Sequence, residues 1–104
     1  LIDVKKIQRV EDDAVSRELL LIKVKTDAAT RSQVLEISQI FRAKVVDASP
    51  EATILELTGK PVKLDGFVTM LMPYGVMELA RTGVTSISRG KSTIQDEKDY
   101  KEKI

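Results

Sequence analysis

Proton transfer in this chain would fall to carboxylates, since its 104 residues include neither histidine nor cysteine. Asp47, Glu56, Asp65 and Glu78 are the candidates for an acid and base pair. They are scattered over different predicted elements, two of them on strands of alternating polarity, which is the pattern of solvated carboxylates. A nucleophilic triad, a thiolate or histidine metal site and a disulfide framework all need residue types the chain lacks. No phosphate-binding GxxxxGK[ST] occurs, and Gly66, Gly75, Gly83 and Gly90 do not make a GxGxxG. Lys23, Lys25, Lys44, Lys60 and Lys63 would suit a basic groove, yet two Phe and two Tyr leave little for base stacking. Met70, Met72 and Met77 suit either an adaptable peptide-binding patch or packing against the core.

Chemistry of this kind needs elements to hold it, and composition bounds those first. Domains of roughly 100–150 residues are the commonest size, so the length fits one domain. A 42% hydrophobic and 32% charged composition is that of a folding globular chain. The 17 basic and 16 acidic residues are interspersed and give a net charge of +1, which disfavours nucleic acid. No apolar run approaches the roughly 20 residues of a membrane span, and no signal peptide is seen. The chain opens at Leu1, directly on a strand-like segment, as expected of a fragment of a longer product.

Residues 1–10, LIDVKKIQRV, read as a short strand, and the polar, aperiodic residues 11–17 as a linker. The main domain is expected over 18–89. ELLLIKVK at 18–25 places Leu20, Ile22 and Val24 on one face with Lys23 and Lys25 on the other, a half-buried strand. Helix starts follow at Asp27 and Thr30. Thr30 and Gln33 have capping-box spacing, and Val34, Ile37, Ile40 and Phe41 recur at helical intervals. Two short β-branched runs, 43–49 and 52–58, flank Pro50 and read as a hairpin. Pro61 opens a second helix carrying Leu64, Phe67, Val68 and Leu71 on one stripe. Pro73 and Gly75 stop it. The segment 76–88 is again strand-like, interrupted at Gly83 by a predicted bulge or close backbone approach. The tail, 90–104, is densely charged and is expected to be disordered.

The order β-α-β-β-α-β predicts an α+β, ferredoxin-like fold: a four-stranded antiparallel sheet with two helices on one face. Leu19 and Leu21 lie on the opposite phase from Leu20 and Ile22, so both faces of the first strand carry apolar residues. They pack either on a second copy or within the fold.

RELLLIKV at 17–24, IFRAKVVD at 40–47, LELTG at 55–59 and ARTG at 80–83 resemble, in order and spacing, the C-terminal domain of acetohydroxyacid (acetolactate) synthase small subunits. The resemblance spans about residues 17–89. It implies that residues 1–10 are the last strand of that family's preceding ACT domain and 11–17 its linker. It further implies a non-catalytic regulatory subunit that binds and activates the catalytic (large) subunit and confers feedback inhibition by a branched-chain amino acid, usually valine. Valine would bind the ACT domain at a dimer interface, so no valine-contacting residue is assigned here.

The resemblance also implies a homodimer with no cofactor of its own. Thiamine diphosphate, Mg and FAD are expected in the catalytic subunit. The expected compartment is the bacterial cytoplasm, or a plastid or mitochondrion in a eukaryote. A different class of reading is a dimeric, ACT-like module sensing an amino acid or nucleotide.

Interface candidates are Leu19, Leu21, Arg42, Arg81, Thr82 and Gly83. Arg42 and Arg81 follow apolar segments, where arginine makes directional interface pairs; each could equally be an internal ion-pair partner or solvated. Thr82 and Gly83 suit a contact loop or a structural bulge.

Overall fold

A computed structural model describes residues 14–91. The expected strand at 1–10, the linker residues 11–13 and the tail residues 92–104 lie outside the described residues. The chain divides into two compact units. Arg17–Val84 forms one of them. Of the other, the described residues are 14–16 and 85–91.

The principal unit is built on β1 (Ala14–Lys25), α1 (Arg31–Phe41), β2 (Lys44–Ala48), β3 (Ala52–Gly59), α2 (Pro61–Leu71) and β4 (Val76–Arg81). The strands run in the order β2-β3-β1-β4, with every neighbouring pair antiparallel. This is the ferredoxin-like arrangement predicted. A short 3-10 turn, Met72–Tyr74, joins α2 to β4.

Period two along β1 sends Leu20, Ile22 and Val24 into the core at 0–1% exposure. From β3 come Leu55 and Leu57, and from the helices Val34, Ile37, Leu64, Phe67 and Leu71. Each helix contributes positions three or four apart, one stripe of an α-helix. Phe41 and Phe67 stack across the two helices, ring centroids 5.1 Å apart and planes tilted by 51°. At the end of the β1–β3 ladder Thr26 and Thr53 are buried, and their hydroxyls hydrogen-bond to each other at 2.9 Å. Each thus satisfies the other's polar group without water.

Several local expectations are corrected. Residues 14–17, read as linker, are the start of β1. Ala14, Val15, Ser16 and Arg17 are too few to show an alternation of their own, and the partner is remote: β5 (Thr85–Ser88) pairs with β1, and Ser16 Oγ meets Ser86 Oγ at 2.8 Å. The strand expected over 76–88 is therefore two strands, and among the described residues the sheet has five. At the break Gly83 has φ +85°, and a Cβ there would meet nothing within 4 Å. The glycine supplies a left-handed turn rather than a close backbone approach.

The capping box at Thr30 does not form. Asp27 takes over the start of α1, its Oδ1 accepting hydrogen bonds from the N–H groups of Ala29 and Thr30 at 2.9 and 3.0 Å. These bonds hold the Asp27 carboxyl below its ordinary range. Gln33 instead accepts a hydrogen bond from the Tyr74 hydroxyl at 2.9 Å. Ile40, counted in the apolar stripe, is 69% exposed. It stands two-thirds of a turn round the helix from Val34, on the solvent side.

Candidate protein-contact surfaces

The face of β1 turned away from the helices carries Leu19, Leu21 and Lys23. Register places Leu21 opposite Glu56 of β3 and Ala80 of β4, and Lys23 opposite Ile54 and Glu78. Leu21, Ile54 and Ala80 thus meet at the middle of the open sheet face, where they line a shallow depression with Lys23 and Glu78. Leu21 is 40% exposed. Lys23 Nζ donates to Glu78 Oε1 at 2.6 Å and holds that carboxyl below its ordinary range. An apolar centre rimmed by paired charges is the anatomy of a protein contact.

Arg81, Thr82 and Gly83 lie elsewhere and are bound into the unit. Glu18 is buried, and Arg81 grips it bidentately, Nε to Oε2 at 3.1 Å and Nη2 to Oε1 at 2.7 Å. Gly83 N–H donates to the same Oε2 at 3.1 Å, and Arg81 Nη1 reaches Asp65 Oδ1 on α2 at 2.6 Å. Thr82 closes the corner: its N–H donates to the Leu19 carbonyl at 3.1 Å, while Leu19 N–H donates to Thr82 Oγ1 at 3.0 Å. The Arg81 guanidinium holds the Glu18 carboxyl below the usual carboxylate range, and the two carboxylates in turn raise Arg81. Of the readings open for Arg81, the geometry gives the internal ion pair. The sequence signal for it was weak, since Glu18 and Arg81 are 63 residues apart.

Arg42 stands apart from both groups. It is exposed and ends α1 in the left-handed conformation, φ 61° and ψ 38°, its N–H bonded to the Gln39 carbonyl at 3.1 Å. Glycine is preferred at such a position. Arg42→Gly should therefore leave stability unchanged or raise it by up to about 1 kcal/mol in urea unfolding. Were the guanidinium a contact, the same variant would weaken partner binding without weakening the fold.

Asp47 and Lys44 sit on β2 and Glu78 on β4, at opposite edges of the order β2-β3-β1-β4. Three inter-strand spacings of about 4.8 Å separate them, so these groups do not converge. Among the described residues no group of three or more Asp or Glu is placed to hold a metal ion.

Fold and surfaces together define a ferredoxin-like α+β domain whose open sheet face is part apolar and part ion-paired. The family described as the small subunit of acetolactate synthase matches residues 17–90, and the chain belongs to that family. It is 52% identical over 87 residues to the acetolactate synthase small subunit of Mycolicibacterium smegmatis, covering 84% of this chain and 51% of that one. The Aquifex aeolicus small subunit is 42% identical over 101 residues, covering 95% and 53% respectively. The chain thus spans about half the length of the curated relatives it matches. The crystal structure of the Thermotoga maritima small subunit superposes with a TM-score of 0.74 at 28% identity, over 86% of this chain and 65% of that one.

Proposed function

We propose that this chain is the C-terminal domain of the regulatory, non-catalytic subunit of acetolactate synthase. In this reading it binds and activates the thiamine-diphosphate-dependent catalytic subunit, which carries the cofactors. It also supports feedback inhibition by valine in branched-chain amino acid biosynthesis, with valine bound in the ACT domain of the regulatory subunit. The observation that carries the reading is the family match over residues 17–90, which takes in the whole principal unit. The apolar centre of the sheet face, Leu21 with Ile54 and Ala80, is the surface we assign to the catalytic subunit.

The test is acetolactate formation by the purified catalytic subunit with and without this chain. The chain alone should turn over nothing, and adding it should raise the catalytic subunit's rate. Leu21→Lys should abolish that rise while leaving the circular dichroism spectrum unchanged, because the new ammonium faces Glu56 across the ladder. Turnover by the chain itself, persisting after removal of contaminating synthase, would refute the reading.

A further inference from the structure

Of the five lysines that would suit a basic groove, the fold gathers Lys60 and Lys63 with Arg17 around one hollow of about 390 Å³, its wall completed by Thr58, Gly59 and Val62. No carboxylate lines it. Among the described residues neither Lys60 nor Lys63 has a carboxylate within ion-pair reach, whereas Lys23 is held by Glu78. The strand register explains the gathering: Glu18 faces Gly59 across β1 and β3, so Arg17 and Lys60 come next at the same end of the sheet. Like charges brought together in this way repel. Lys63 comes from the first turn of α2 and is half-buried, its stem lying over Gly59, where a Cβ would stand 3.0 Å from Lys63 Cδ. The missing side chain at Gly59 gives that stem its seat. The backbone at the start of α2 adds little, since Pro61 has no N–H and those of Lys63 and Leu64 bond to the Lys60 carbonyl. The positive charge of the hollow is that of its side chains.

We propose that this hollow binds a small multivalent oxyanion of the polyphosphate class. Lysine ammonium groups hold phosphate oxygens as point charges, and an arginine fork pairs them bidentately. The two lysines repel each other and Arg17 until a ligand of opposite sign enters. A volume of about 390 Å³ is at the small end of the roughly 300–1,000 Å³ of small-molecule sites. Nucleic acid fits less well: the hollow has no aromatic side chain on which to stack a base, and a net charge of +1 gives no wider field to follow a phosphate backbone. The site shares no residue with the sheet-face depression assigned to the catalytic subunit, so it does not depend on that contact.

Pyrophosphate is the probe. Titrated into the nitrogen-15-labelled chain of 104 residues at constant ionic strength, it should shift the amide resonances of Gly59, Lys60, Val62 and Lys63 along one saturable curve, half-complete below about 1 mM. Lys60→Ala and Lys63→Ala should each weaken binding about tenfold, the loss of one charge-assisted hydrogen bond. Lys63→Arg should keep most of the affinity, and Lys44→Ala, on β2, should change nothing. Tripolyphosphate and adenosine triphosphate should bind alike, because nothing in the hollow holds a base. No saturable shift by about 10 mM pyrophosphate would overturn the proposal. So would equal shifts at Lys25 and Lys44, the mark of general salt screening, or binding of adenosine triphosphate with tripolyphosphate silent.

Discussion

Phe67→Ala should cost about 3–5 kcal/mol in urea unfolding, a large part of the roughly 5–15 kcal/mol that holds a small domain together. Phe67 is fully buried and belongs to the core formed by β1, β3 and both helices. Truncation removes the apolar area of the ring and leaves a cavity that close-packed neighbours fill only in part. It also removes the tilted contact with Phe41, 5.1 Å between centroids, which ties α1 to α2. Ile40→Ala is the control, because Ile40 is 69% exposed and its loss should change stability by no more than about 0.5 kcal/mol. A similar cost for both variants would mean that the core is not where Phe67 places it.

Arg81→Met should lower the melting temperature by several degrees at pH 7 and change how stability depends on acid. In the native chain Glu18 titrates below its ordinary value because Arg81 hydrogen-bonds its ionised form, with Gly83 N–H assisting. The unfolded chain therefore takes up that proton first. The stability contributed is complete above the ordinary value of about 4.5 and is lost as pH falls through the lower, folded value. With methionine at 81 the Glu18 carboxylate is left buried without its cation, which is costly above pH about 4.5 and relieved on protonation. The difference in melting temperature between native and variant should thus shrink as pH is lowered through this window. A constant difference from pH 7 to pH 3 would show that the pair is not the cause.

The parts of this fold that sequence reveals are those whose cause is local. ELLLIKVK announces a half-buried strand by alternation alone, and Leu64, Phe67 and Leu71 announce a helix face by spacing alone. What escaped has remote causes. Residues 14–17 are strand with no signal of their own, and β5, which pairs with β1, sets Ser86 against Ser16 from 70 positions away. Arg81 was legible as an arginine needing a partner, but not that the partner would be Glu18. Thr30 and Gln33 had capping-box spacing, yet Asp27 Oδ1 holds the Thr30 N–H and the Tyr74 hydroxyl engages the Gln33 side chain. Leu21 was legible as apolar on the polar phase of β1. Only register showed Ile54 and Ala80 beside it.

A sedimentation-velocity titration of the catalytic subunit with this chain is the most direct measure of whether the domain works by presenting a surface to another polypeptide. The catalytic subunit should move to a faster species that saturates as the chain is added, and Leu21→Lys should abolish the shift. An unchanged sedimentation coefficient at saturating chain would contradict the assignment of the sheet face.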